Sequence, residues 1–143
     1  MKKIKVLMLY GNSYSSCGMD SLSENISMIN SDISVDFVKN PLIALEKIKK
    51  YDLLIMGLIW SYNESKSIPQ IQNFKFSERY LVDVGIILYK VIQDTTSIKT
   101  IVYDTVLCSE EFCKKNTIPF LRMPELAKTI VEEIISIFKK ETL

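Results

Sequence analysis

The chain contains no histidine. That absence removes every Ser–His and Cys–His nucleophilic mechanism and rules out a histidine phosphocarrier. Cysteine is scarce: Cys17, Cys108 and Cys113 are three in number and form no CxxC pair. Without histidine, three scattered thiols do not close a tetrahedral zinc site, so no metal is expected. An odd, unpaired set of thiols suits a reducing cytoplasm better than a disulfide framework. An excess of one charge is missing too. Eighteen basic and 17 acidic residues leave a net charge of +1, so neither nucleic acid nor an anionic membrane is expected as a bulk partner. No apolar run reaches the length of a membrane span. The run after Lys2, Lys3 and Lys5 is short and lacks a cleavage pattern, so no signal peptide is expected. Internal repeats, low-complexity tracts and linkers are likewise absent.

What remains is a balanced globular composition, with 48% apolar and 24% charged residues. A length of 143 residues predicts one domain spanning 1–143, with a core that needs no staples. The most informative stretch is Tyr51 to Trp60, which has no polar side chain from Leu53 to Ile59. It is too short for a membrane and too continuous for a half-exposed antiparallel strand. It predicts the central strand of a parallel sheet covered on both faces.

The flanking segments alternate regularly. Lys3 to Tyr10 is a second near-continuous apolar strand, followed by a polar turn from Gly11 to Gly18. Ser21-Leu22-Ser23-Glu24 fits a capping box, with Leu22, Ile26 and Ile29 at helical spacing behind it. Ile33, Val35 and Phe37 alternate as in an edge strand. Asn40-Pro41 predicts a helix start, with Leu42, Leu45 and Ile48 as its buried stripe and Lys47, Lys49 and Lys50 near its end. Residues 60–77 show no period and predict a long irregular insertion. A third helix is expected from about Glu78 to Gln93, with Leu81, Val84, Leu88 and Val91 inward and Gly85 a local weakness. Ile98 to Tyr103 is the fourth strand, and Ser109 is read as the cap of a short fourth helix. Ile118 to Leu121 is the fifth strand, and Pro124 opens a fifth helix with Leu126, Ile130, Ile134 and Ile137 or Phe138 inward. Helices alternating with strands predict a doubly wound α/β sheet with helices on both faces.

On these segments the chain resembles a response-regulator receiver domain. The resemblance spans nearly its whole length and is strongest from Ile33 to Gly57. It also rests on Asp83 to Leu88 through Tyr103, and on Ile118 to Pro124. It implies a five-stranded parallel sheet in the order 2-1-3-4-5. The family's reactive residues do not carry over. The paired acids after the first strand fall on Tyr10 and Gly11. The phosphoacceptor aspartate falls on Gly57, the hydroxyl residue after the fourth strand on Asp104, and the lysine before the proline on Met123. Phosphoryl transfer needs a carboxylate, a metal and a cation. The resemblance therefore implies a pseudo-receiver that is not an enzyme and is not phosphorylated. It would act in two-component-type regulation through contacts of its fourth helix, fifth strand and fifth helix with a protein partner or a second copy of itself.

A second, looser resemblance is to flavodoxins, which share this topology and carry flavin mononucleotide. In that reading the Gly11–Gly18 loop would hold the phosphate, and Trp60 and Tyr62 would flank the ring. Asn12, Ser13, Trp60, Thr105 and Arg122 are the candidate anion or ligand contacts. The plainer readings are a turn loop, packing aromatics and a surface cation. Asp104 reads as a solvated loop acid or a helix cap, and Cys108 and Cys113 as idle thiols sharing one side of the fourth helix.

Overall fold

The two apolar runs lie side by side in the middle of the sheet. The computed structural model describes residues 2–11, 16–60, 65–72, 81–105 and 107–139, with backbone alone at 16, 17, 72 and 81–83. The elements are β1 (Ile4–Leu9), α1 (Ser16–Ile29), β2 (Ile33–Val38), α2 (Pro41–Lys47, running into a 3-10 turn at Ile48–Lys50) and β3 (Leu53–Met56). After them come the short α3 (Pro69–Gln72), α4 (Leu81–Thr95), β4 (Lys99–Asp104), α5 (Leu107–Asn116), β5 (Phe120–Arg122) and α6 (Ala127–Lys139). All pairings are parallel, in the order β2-β1-β3-β4-β5. This is the order that the resemblance implies.

Period-two alternation splits the central strands between two cores. Val6, Met8, Leu53, Ile55 and Ile101 face one side, where Ile26 of α1 and Ile130 and Ile134 of α6 cover them. Leu7, Leu9, Leu54, Met56 and Val102 face the other, under Ala44, Val84, Leu88, Ile92 and Cys113. Both faces of β1 and β3 are therefore dry, which is why their sequences are continuous rather than alternating. β2 is an edge strand and keeps part of one face in solvent.

Several local expectations are corrected. α1 begins at Ser16, so Ser21-Leu22-Ser23-Glu24 is helix interior; Ser23 Oγ donates back to Asp20 O at 2.8 Å. Packing of Met19, Leu22 and Ile26 extends the helix through polar residues that local propensity does not favour. The Asn40 cap holds: its side chain accepts from the amides of Leu42 and Ile43. It places Pro41 inward at N1, so the buried stripe is Pro41, Ala44 and Ile48, and Leu42 is exposed. Pro124 does not open a helix. It follows a cis peptide bond from Met123, α6 starts at Ala127, and Leu126 is 72% exposed. In the irregular stretch, Ile68 and Ile71 anchor the short α3 in the second core. Tyr62, Phe74 and Phe76 lie outside the described residues.

Gly85 is not a weak point. A Cβ built there would lie 2.0 Å from Leu58 O and 2.5 Å from Leu58 Cα. The missing side chain lets α4 press directly on the backbone that leaves β3.

Candidate functional site

In an open parallel sheet, function gathers beyond the carboxyl ends of the strands. Leu9, Met56 and Val102 are level with one another. Tyr10, Gly57 and Tyr103 therefore form the next row, and Leu58 and Asp104 the row beyond it.

Asp104 is the centre of this end. It is 0% exposed, so it is not the solvated acid that its loop position suggested. One carboxylate oxygen, Oδ2, accepts the Leu58 amide at 2.8 Å and the Ser109 hydroxyl at 3.0 Å. The other, Oδ1, accepts the Thr105 amide at 2.6 Å. These donors take the place of water around the buried carboxylate. Its backbone carbonyl accepts the Met123 amide at 2.9 Å. A single residue thus joins the chain leaving β3, the turn after β4, the first turns of α5 and the end of β5. Ser109 is correspondingly not a cap. It lies inside α5, fully buried, with its hydroxyl on Asp104.

The remaining positions close around this hub. Gly57 and Gly11 are buried. Gly57 O accepts the Trp60 indole N–H at 2.9 Å. Trp60 is 0% exposed, which corrects its reading as a ligand contact: neither face is available to a flavin or a partner. Tyr10 is also fully buried and donates its hydroxyl to Tyr103 O at 2.7 Å. The Tyr103 hydroxyl in turn accepts the Glu125 amide at 2.9 Å. Burial raises the Tyr103 pKa, the backbone bond at Glu125 opposes that rise, and the Glu125 charge adds to it. Both tyrosines are therefore packing and hydrogen-bonding elements.

Arg122 is exposed and forms an ion pair with Glu110 of α5, so it is engaged within the same face and is not an unpaired anion contact. Thr105 is exposed and Met123 half-buried. Asn12 and Ser13 lie outside the described residues, as does the Cys17 side chain. Cys108 and Cys113 do not share a side of α5: Cys108 is exposed and Cys113 buried. Burial first, and then the Asp104 charge, push the Cys113 thiol up to about 12. It remains a protonated, unreactive thiol.

Among the described residues no group of three or more His, Cys, Asp or Glu side chains could hold a metal ion. Asp52, at the start of β3, accepts the Lys5 amide at 2.8 Å at the opposite end of the sheet and does not join Asp104. Sequence reasoning missed the hub itself. The signals available were an acid directly abutting the apolar run Ile101–Tyr103 and a serine five residues later.

No family model matches the chain. None of the curated proteins matches it in sequence either. Solved structures do match. A two-component response regulator from Clostridium difficile is 18% identical with a TM-score of 0.69, over 99% of this chain and 100% of that one. A structure described as a novel family of redox sensors in the streptococci, evolved from two-component response regulators, is 16% identical with a TM-score of 0.65. It covers 97% of this chain and 52% of that one. The chemotaxis response regulator CheY4 of Vibrio cholerae is 13% identical with a TM-score of 0.61, over 95% and 99%. The chain has the fold of a response-regulator receiver domain. Among the described residues no helix is long and apolar enough to cross a membrane.

Proposed function

We propose that the protein is a receiver-like signalling domain that works without a phosphoacceptor, through contacts with another protein. The observation that carries this reading is the Asp104 hub beside Gly57. Where a receiver would need an aspartate at the end of β3, this chain has a glycine. The next amide, that of Leu58, is held by a buried carboxylate from the neighbouring strand. A carboxylate in that place repels a phosphoryl group and occupies the donors that would stabilise one. On this reading the loops around β3 and β4 are held in one arrangement by the protein's own groups, and the domain regulates rather than catalyses.

The contact surface we infer is α5–β5–α6, the fourth-helix, fifth-strand, fifth-helix face of the receiver reading. Leu107 is 62% exposed at the start of α5 and Leu126 72% exposed before α6, and the Arg122–Glu110 pair ties β5 to α5. Isolated exposed leucines are ordinary, but two on segments flanking this tied pair of elements suit a modest protein contact, whether with a partner or with a second copy.

The test is incubation with acetyl phosphate and Mg²⁺, read by intact mass and by backbone amide spectra. The proposal expects no phosphoryl adduct and no shift at Leu58, Thr105 or Ser109. A covalent adduct, or saturable shifts at those amides, would overturn it. For the surface, Leu107→Asp with Leu126→Asp should abolish capture of a defined partner or self-association while leaving the urea midpoint unchanged. Retained association would remove that face from consideration.

A further inference from the structure

The sheet ends in β5 on one side and β2 on the other, and these edges differ. β5 is three residues long and closes on Arg122, which is paired with Glu110. Shortness and charge are common ways to blunt an edge. β2 is six residues long and lies in continuous register against β1 from Ile33 to Val38, without a bulge. It holds no proline and no lysine. Its one charged residue is Asp36, whose carboxylate accepts the Tyr51 hydroxyl at 2.6 Å.

The bonds to β1 decide which backbone groups are left over. Asp32 O accepts the Ile4 amide and Val38 O accepts the Tyr10 amide, so Ser34 and Asp36, in phase with them, turn their backbone groups towards β1. Ile33, Val35 and Phe37 turn theirs outward. The Ile33 amide donates to Asn30 O, but the amides of Val35 and Phe37 have no partner among the described residues. The side chains of Ser34 and Asp36 are exposed, and those of Val35 and Phe37 half-buried. The adjoining helix turns are apolar as well. Met28 and Ile29 end α1, and Leu42 and Ile43 lie in the first turn of α2. These are four of the six large apolar side chains exposed among the described residues.

An open edge alone names no occupant, but this one is complementary to itself. In a continuous sheet, two copies related by a two-fold axis meet with their edge strands antiparallel, and outward backbone groups must face outward groups. That restricts the register. Centring on Val35 sets Val35 against Val35, Ile33 against Phe37, and the Ser34 hydroxyl against the Asp36 carboxylate. Centring on Asp36 sets that acid against its own copy, and centring on Ser34 sets it against Asp32. Like charges directly opposite are destabilising, so charge selects the Val35 register. We propose that β2 is a pairing edge for a second copy of this chain, through an antiparallel β2–β2 ladder about Val35. The ladder lies at the opposite edge of the sheet from β5, and it rests neither on the α5–β5–α6 contact nor on the Asp104 end.

The test is sedimentation equilibrium of the full chain together with amide hydrogen exchange, repeated with Leu107→Asp and Leu126→Asp in place so that the other face does not contribute. A dimer is expected in both. The Val35 and Phe37 amides should gain protection as the protein concentration rises, whereas those of Ser34 and Asp36, already bonded to β1, should not change. Ser34→Asp sets like charges opposite one another at both ends of the ladder and should weaken the dimer about tenfold. Ser34→Lys sets opposite charges there and should tighten it. The urea midpoint in dilute solution checks that both variants fold. A monomer at every concentration, a dimer whose Val35 and Phe37 amides exchange freely, or a shift of the same sign in both Ser34 variants would overturn the proposal. Protection that appears only when another protein is added would give the edge to that protein's strand and overturn self-pairing.

Discussion

Gly85→Ala separates helix propensity from tertiary contact more cleanly than any other change in this chain. In an isolated helix the substitution would stabilise by about 1 kcal/mol, because alanine loses less backbone freedom on folding. Here the new methyl group would meet Leu58 O at 2.0 Å, Leu58 C at 2.4 Å and Leu58 Cα at 2.5 Å. All three are backbone atoms, so no side-chain rotation relieves the clash. Either α4 lifts from the sheet or the Leu58 peptide moves. Overpacking of this kind costs about 1–3 kcal/mol. Moving Leu58 also threatens its amide bond to Asp104, a buried bond to a charged group worth about 1.5–3 kcal/mol. After the propensity gain is subtracted, the net loss is about 1.5–5 kcal/mol, a large part of a small domain's stability. With an m-value of about 2 kcal/mol/M, the urea midpoint should fall by about 0.8–2.5 M. Trp60 is the single tryptophan, is fully buried and is bonded to Gly57 O in the same loop, so its fluorescence reports both unfolding and displacement of that loop. The double variant with Asp104→Asn should lose less than the sum of the single changes, because both act on the Leu58 amide. An unchanged or higher midpoint for Gly85→Ala, or strict additivity, would refute the reasoning.

The same physics gives three further outcomes. Asp104→Ala leaves the Leu58 amide and the Ser109 hydroxyl without their buried acceptor, and urea unfolding should show a loss of about 3 kcal/mol, against about 1 kcal/mol for Ser109→Ala. Asn40→Ala removes the acceptor for the first amides of α2 and should cost about 1 kcal/mol in the same assay. The alkaline limb of stability should fall early. Tyr51 is raised from 10.0 to about 12, chiefly by burial, then by its bond to Asp36 and that residue's charge, and Cys113 is raised from 9.0 to about 12. Both groups release their protons more easily when unfolded, so their stabilisation is complete below about pH 9 and is lost as the pH rises towards about 12. Cys113→Val should flatten the first part of that decline in pH-dependent urea midpoints, and Tyr51→Phe the part above about pH 10.

The sheet was legible because its two inner strands carry their burial in their composition. Ile4–Leu9 and Leu53–Met56 are apolar at every position but Lys5, and only a strand covered on both sides calls for that. The Asn40-Pro41 start was legible because a cap acts within three residues. What local reading missed depends on contacts between distant parts of the chain. Asp104 meets Leu58 across 46 residues and Tyr10 meets Tyr103 across 93. No window of sequence contains both partners. Gly85 was misjudged for the same reason: its value lies in what crosses it, not in the helix it interrupts. Trp60 looked available because it follows a strand end, where ligands gather, but its own indole bond turns it inward to Gly57.

A glycine at the end of a central strand could leave a hole, and a hole would be destabilising or wet. At this end of the sheet the polar groups answer one another instead. The Gly57 carbonyl has the Trp60 indole, the Leu58 amide has Asp104, and the Tyr103 carbonyl has Tyr10. The end of β3 and the end of β4 are therefore coupled: the Asp104 carboxylate holds the Leu58 amide and the Ser109 hydroxyl and is turned away from solvent. Placing a carboxylate at the end of β3 by Gly57→Asp alone should destabilise the domain. It would add a second carboxylate one residue before the Leu58 amide that the buried Asp104 carboxylate already holds, and neighbouring like charges disfavour each other. Gly57→Asp should therefore be less stable than Gly57→Asp with Asp104→Thr, by urea unfolding at neutral pH. The reverse order would mean that the repulsion between the two carboxylates is weaker than the bonds that Asp104 makes to Leu58, Thr105 and Ser109.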